Sequence, residues 1–446
     1  MNRRDFITKA GMAGAAFSVI PSQLYSEKKV RLGFIGLGAR GQSQLDECCK
    51  RNDIDVIAIA DPDKTWALSE AQNILKQYKR PAASEYADGE YDYLNLLKRT
   101  DIDAVFVCTP WEWHVPQGIA AMKAGKKVAM EVSGAMDIEE CWNIVDAFEE
   151  TGVPLMMMEN VNYRRDVMAV MNMVKQGVFG ELLHLQGGYQ HDLRGVKLND
   201  GKSPYGKGVE FGEKGFSESK WRTLHSQYRN GELYPTHGLG PVATMLDINR
   251  GNRLLSLNSV ATKSRGLHNY IVANAGPEHP NASIDFQLGD IVTTLLTTAN
   301  GETIMLSHDT NSPRPYSLNF RVQGTKGIWM DDIQKLLVEG STPDHRWTDD
   351  SEWMNKYDHP LWKKYSAEAE NAGHGGMDFF VINAFIECVK RNEPFPLDVY
   401  DMATWYAITP LSEISVARGG ERQEIPDFTR GKWIQRQPEF IGRLEY

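Results

Sequence analysis

The segment Val30-Arg31-Leu32-Gly33-Phe34-Ile35-Gly36-Leu37-Gly38-Ala39-Arg40-Gly41 constrains this chain more than any other. A short apolar run ends in glycines spaced G-x-G-x-x-G and opens on a helix-forming stretch. In a strand–turn–helix unit the first glycine allows the tight turn. The second lets backbone approach a pyrophosphate, and the third lets helix lie on strand. The helix start then offers free N–H groups to phosphate. Asp61 ends the next apolar run, 20 residues after Gly41. An acid there bonds the adenosine ribose hydroxyls and repels a 2′-phosphate. The expected ligand is therefore a nicotinamide dinucleotide, NAD rather than NADP, held by Gly36, Gly38, Gly41 and Asp61.

Further apolar runs follow at Val56–Ala60, Ala104–Cys108, Val128–Met130 and Leu155–Met158. Near-continuous apolar character is that of parallel strands covered on both faces. Helix-length segments such as Thr65–Tyr78 and Ile138–Glu150 lie between them. The pattern predicts an α/β fold, with a Rossmann-type doubly wound parallel sheet over residues 28–160. After Asn160 the pattern changes. Val167, Val170, Met171 and Val174 have helical spacing, and Gly177 can close that helix. Leu183–His191 reads as a strand with Tyr189 and His191 on one face. Asp290–Ala299 and Glu302–His308 flank Asn300-Gly301, the signal for a type I′ hairpin. Residues 161–446 are thus expected to form an α+β domain with a mostly antiparallel open sheet. Segments 195–233 and 340–372 read as long loops over a site. Helices are expected at Asp378–Arg391 and Tyr400–Arg418, and Gly373-His374-Gly375-Gly376 reads as a glycine-rich helix entry.

A length of 446 residues suits two domains. The formal net charge of −10 argues against nucleic acid or an anionic membrane as the main partner. The five cysteines, Cys48, Cys49, Cys108, Cys141 and Cys388, fit neither a disulfide framework nor zinc spacing, so no metal is expected. At the start, Asn2-Arg3-Arg4-Asp5-Phe6 precedes the small, apolar run Ala10–Ile20. Twin arginines ahead of such a run predict a Tat-type signal over residues 1–27 and export to the periplasm or cell exterior. The run is too short to span a bilayer as a helix.

Cys108-Thr109-Pro110-Trp111-Glu112-Trp113-His114, with an acid after the next strand and a second α/β domain, resembles the Gfo/Idh/MocA superfamily of sugar oxidoreductases. Dehydrogenases of that superfamily carry Glu-Lys-Pro where this chain has Glu131-Val132-Ser133. Lys126 and Lys127 lie at the other end of that strand. Their D-x-G-x-H-x-x-D helix is replaced by Glu232-Leu233-Tyr234-Pro235-Thr236-His237-Gly238-Leu239-Gly240. The segments TPWEWH, MEVSGA, MENVNYRRD, GGYQHDLR and YPTHGLGP resemble one branch, glycoside hydrolase family 109, the NAD-dependent α-N-acetylgalactosaminidases.

The resemblance implies tightly held NAD, recycled in each turnover, and a glycan or glycoconjugate substrate ending in N-acetylhexosamine. Carried over by position, Ala39, Arg40, Asp61, Trp111, Glu112, Trp113, His114, Glu131, Val132 and Asn160 would line NAD. Tyr189, Arg222, Tyr234, Pro235, Thr236, His237 and Tyr316 would line the sugar. The implied route oxidises the sugar C3 and removes the C2 proton. It then expels the C1 oxygen, adds water and returns the hydride, an exception to the usual carboxylate pair. Such a route needs bases near neutrality and phenols. His237 is the first choice of acid/base, with Tyr234 and Tyr189 beside it. The alternative is a sugar or inositol dehydrogenase of the same superfamily, against which the missing lysine counts. The superfamily's second domain often pairs subunits through its exposed sheet, so a homo-oligomer is also expected.

Overall fold

The computed structural model describes residues 29–370 and 372–438; the twin-arginine segment, residues 1–27, lies outside them. Six strands form the first sheet: β1 (Val30–Ile35), β2 (Ile54–Ala60), β3 (Ser84–Tyr86), β4 (Ala104–Val107), β5 (Lys127–Met130) and β6 (Leu155–Met157). Their order is β3-β2-β1-β4-β5-β6, all pairs parallel. This is the doubly wound Rossmann order, and it reverses between β1 and β4, where a ligand crevice forms. Strand β3 is absent from the sequence reading. Its three residues are polar or half-exposed and carry no apolar run.

The second sheet has nine strands: β7 (Leu182–Gln190), β8 (Leu254–Ala261), β9 (Ile291–Thr298), β10 (Thr303–Asp309), β11 (Arg321–Gly324), β12 (Gly327–Met330), β13 (Lys335–Val338), β14 (Thr348–Asp349) and β15 (Gln423–Glu424). The order is β14-β13-β12-β11-β7-β10-β9-β8-β15. Only the central β7–β10 pair is parallel. The β9–β10 hairpin forms at Asn300-Gly301, but its turn is not type I′. Gly301 alone has positive φ, and Thr298 pairs with Glu302 across a three-residue loop. That is the three-residue hairpin with glycine in the left-handed position.

One core runs through both domains, and a satellite of Leu198, Val209, Leu267, Ile271, Ala282 and Phe286 anchors the chain around 194–286. Segment 195–233 is therefore pinned rather than loose, and it includes the helix Arg222–Tyr228. Segment 340–372 departs from the expectation of a loop over the site. It contains the helices Ser351–Tyr357 and Pro360–Ala369, and Ser351–Tyr357 packs on the helix Arg165–Lys175. Near the end, the helices Met377–Arg391 and Val399–Tyr406 return to the first domain, where they pack on the helices Ala39–Cys49 and Ile138–Thr151.

The helix Pro235–Met245 meets β7 backbone to backbone. A Cβ on Gly187 would lie 2.1 Å from the Gly238 carbonyl oxygen, and one on Gly238 would lie 2.4 Å from the Gly188 nitrogen. Glycine on both sides of this contact draws Tyr189 to Tyr234 and His237.

Candidate active site

A cleft of about 610 Å³ opens at the carboxyl ends of β1, β2, β4 and β5 and reaches the second domain. One end is built by the glycine turn. Gly36 has φ +87°, and a Cβ there would sit 2.7 Å from the Cys108 carbonyl carbon. Gly41 backs the turn: its Cβ would lie 2.1 Å from the Gly36 carbonyl oxygen, and it does not line the cleft. Around Gly38 there is open space, with nothing within 4 Å of a Cβ. Gly38 also caps the helix Ala39–Cys49 without a side-chain bond. An open cradle at a helix start fits a pyrophosphate. Asp61 faces the cleft. It accepts from Leu37 N at 2.7 Å and from Asp63 N at 2.9 Å, and burial raises its carboxyl pKa. It thus pins the glycine turn while facing the cleft.

Ala39 and Arg40 line the cleft, but the Arg40 guanidinium is already committed. Its Nε donates to Glu131 at 2.7 Å, and its two terminal nitrogens donate to Asp378 at 2.9 and 3.0 Å. Asp378 also takes a bond from Asn160 Nδ2 at 2.8 Å and lies 2.7 Å from His374 Nδ1. Burial works against its charge, yet Arg40 and His374 hold its carboxyl far below the usual range. Glu131, Val132 and Asn160 line the cleft beside this knot. Val132, at the position where the resemblance places the dehydrogenases' lysine, has no proton to give. His114 is buried, with Nδ1 2.6 Å from the Ser133 carbonyl oxygen and Nε2 2.8 Å from that of Thr109. It braces the loops after β4 and β5, so its ring reaches the cleft with both nitrogens occupied. Trp111 is buried in the wall, Trp113 packs on Tyr91, and Glu112 sits 3.5 Å from His225.

At the other end three rings close together. Tyr189 and Tyr234 have centroids 4.5 Å apart, and His237 stands 5.3 Å from Tyr189 and 5.0 Å from Tyr234. His237 Nδ1 lies 2.8 and 2.9 Å from the two carboxylate oxygens of Glu159, which is fully buried. A carboxylate only accepts, so Nδ1 is the donor in this contact, and Nε2 is the nitrogen not engaged by Glu159. Burial pushes the Tyr189 phenol up to about 12 and Tyr234 well above its usual value. The Arg222 guanidinium lies 5.2 Å from the Trp111 ring and 5.3 Å from that of Tyr234, with Glu218 Oε2 at 3.0 Å. Tyr189, Arg222, Tyr234 and His237 all line the cleft.

Three carried-over positions do not. Pro235 and Thr236 form the buried first turn of their helix and face the core, not the cleft. Tyr316 is 49% exposed, and it meets Tyr189 and His191 edge-on from outside, at the rim.

Residues 163–435 match the family described as glycosyl hydrolase 109, C-terminal domain, and residues 30–159 match the oxidoreductase family, NAD-binding Rossmann fold. A glycosyl hydrolase family 109 protein of Stenotrophomonas maltophilia is 50% identical over 100% of this chain and 99% of its own. The chain belongs to glycoside hydrolase family 109. Another member, the alpha-N-acetylgalactosaminidase of Tannerella forsythia, is 47% identical over 98% of this chain and 99% of its own. Among solved structures, a levoglucosan dehydrogenase in complex with NADH and L-sorbose superposes with TM-score 0.63. It shares 18% identity and covers 90% of this chain and 100% of its own. The myo-inositol dehydrogenase of Lactobacillus casei gives TM-score 0.58 over 90% of this chain and 99% of its own. The family 109 chain is thus a glycosidase built on an NAD-binding fold.

In this family 109 site, two groups escape the sequence reading. Glu159 stands in the quoted segment MENVN, beside Asn160, and yet gives no sign of its partner 78 residues away. His191, whose Nδ1 is 3.2 Å from the Tyr189 hydroxyl, shows only as a face-mate of Tyr189.

Proposed function

We propose that this family 109 chain removes terminal α-linked N-acetylgalactosamine from glycans, using tightly held NAD that is restored in each turnover. One observation carries this reading. The base opposite the glycine turn is a histidine–glutamate pair among phenols, while Val132 replaces the dehydrogenase lysine. The acids at the sugar end, Glu159 and Glu218, are bound to His237 and Arg222, which leaves no free carboxylate pair for ordinary glycoside hydrolysis.

Gly36, Gly38, Asp61 and the start of the helix Ala39–Cys49 would hold the dinucleotide. A dinucleotide held there would supply reversible hydride acceptance from a ring carbon. The chain's own groups move the protons. Tyr189, a protonated phenol, relays the proton of the oxidised hydroxyl, taking it as it gives up its own, and reverses the exchange on reduction. His237 Nε2 removes the proton next to the ketone, with Glu159 stabilising the imidazolium. Tyr234 protonates the departing C1 oxygen. Arg222 binds the N-acetyl carbonyl or a ring oxygen, a charge-assisted bond worth roughly twice a neutral one.

Purified protein mixed with an aryl α-N-acetylgalactosaminide, with no cofactor added, should release the phenol, and acid extraction should yield NAD. No release, together with steady NADH formation on free sugars, would instead make it a dehydrogenase. We also propose export through the twin-arginine segment. Replacing Arg3 and Arg4 by lysine should retain the protein in the cytoplasmic fraction, and unchanged fractionation would refute the route.

A further inference from the structure

Trp111, Tyr189, Arg222 and Tyr234 line the cleft on one side and a small cavity of about 10 Å³ on the other. The far side of that cavity is made by Lys197, Ser226, His308 and Thr310 together with the apolar Leu193 and Leu233. Such a volume is near the lower limit for one water, which needs two to four polar partners.

Lys197 is 2% exposed. Its amine donates at 2.7 Å to Thr310 Oγ1 and at 2.7 Å to Asn311 Oδ1, both neutral. The charged groups that face it are Arg222, from the helix Arg222–Tyr228, Asp290, ahead of β9, and Asp309, on β10. Asp309 is bound to Arg314, and Asp290 accepts from the backbone of Arg265 and Gly266. Burial, with Arg222 adding, draws the Lys197 amine well below the usual lysine range. His308 pairs with Tyr189 across the β10–β7 ladder and is also 2% exposed. Its Nδ1 has no hydrogen-bond partner among the described residues. The wall is mostly apolar, but a buried orphan nitrogen facing a water-sized cavity beside the Lys197 amine is what an ordered water satisfies.

We propose that this cavity holds one water between Lys197 and His308, and that the group stores the proton released when a sugar hydroxyl is oxidised. The inference rests on the oxidative reading above. The sugar O–H bond breaks and its proton joins Tyr189 Oη. Tyr189 gives its own proton to the water, and the water gives one to the Lys197 lone pair. The C–H electron pair leaves as hydride to the bound dinucleotide, and the C=O bond forms. Tyr189 and the water end unchanged and Lys197 ends as ammonium. The proton flows back when the ring is reduced. A store inside the wall spares the site an exchange with solvent in each turnover, and His308 Nδ1 orients the water by accepting its other proton.

The test uses the holoenzyme in weak buffer with a pH-indicator dye. It is mixed rapidly with an aryl α-N-acetylgalactosaminide while the absorbance of reduced nicotinamide is followed. Wild type should reduce its cofactor with no proton in solution. Lys197→Met should reduce it roughly a hundredfold more slowly and release a proton to the dye. Lys197→Gln, which keeps a polar end for Thr310 and Asn311, serves in case the methionine variant does not fold. A second readout needs no turnover. Burial lowers the affinity of the folded lysine for its proton, so the unfolded state binds more protons and wild-type stability should climb with pH until the ordinary lysine range is reached. Lys197→Met should lose that slope. Equal proton release by wild type and variant overturns the store, and so do melting curves of equal slope. Phenol release with no change in nicotinamide absorbance overturns the oxidative reading and the store with it.

Discussion

Glu159 decides which nitrogen of His237 is available. Glu159→Gln keeps a hydrogen bond to Nδ1 but removes the charge that favours the imidazolium. It should lower kcat by about a hundredfold with the NAD content unchanged, as checked by steady-state assay and acid extraction. His237→Ala should lose more, and unchanged turnover would remove it from the mechanism. Glu232, two residues before Tyr234, is a separate case. Its Oε1 accepts from Tyr234 N at 3.3 Å, its Oε2 has no hydrogen-bond partner among the described residues, and burial pushes its pKa up to about 8. Between about pH 4.5 and that value the folded state keeps a proton that the unfolded state loses, so stability falls as pH rises. The loss at pH 7 is about 3 kcal/mol. Glu232→Gln should therefore raise Tm at pH 8 and leave it nearly unchanged at pH 4. Both acids stand in plain view in the sequence. What no local window shows is the contact: Glu159 gains its meaning from a histidine on a distant helix, and Glu232 from a core that closes over it.

The strand–turn–helix around β1 separates two kinds of glycine. Gly38→Ala puts a methyl into open space, so the chain should fold normally and bind NAD more weakly, as read by NAD content against melting temperature. Gly41→Ala drives a methyl into the Gly36 carbonyl and should lower the melting temperature itself. Elements whose signal is repetitive were legible: the apolar runs gave β1, β2, β4, β5 and β6, and the spacing of Val167, Val170, Met171 and Val174 gave its helix. β3 was not, because a three-residue edge strand of polar residues lacks any period. Nor were the helices within 340–372: Ser351–Tyr357 buries no residue fully, and Pro360–Ala369 buries only Leu361, Trp362 and Ala369, too few to show a period. The contact of Gly187 and Gly188 with Gly238 is written only as small residues, and it is what assembles the sugar end.

At the scale of the molecule, Asp378 joins the two domains. It bonds Arg40 and Asn160 and lies 2.7 Å from His374, yet it sits on the helix Met377–Arg391 from the far end of the chain. Asp378→Ala leaves Arg40 beside Glu131 alone. It should cost about 3 kcal/mol or more in denaturant unfolding, the usual result of stranding one partner of a buried pair, and should loosen NAD. The native contribution has a defined pH window. The folded carboxyl pKa is depressed, so the stabilisation is present above about pH 4 and fades as pH falls further. The partners Arg40 and Asp378 stand 338 residues apart, and that separation has a consequence for synthesis. At roughly 5–20 residues per second a ribosome takes tens of seconds to travel that far. The glycine turn emerges early, but the residue that fixes its arginine comes late. The cleft acquires its last wall only once the helix Met377–Arg391 has emerged and folded back, so the first domain alone, early in synthesis, presents an unfinished cleft.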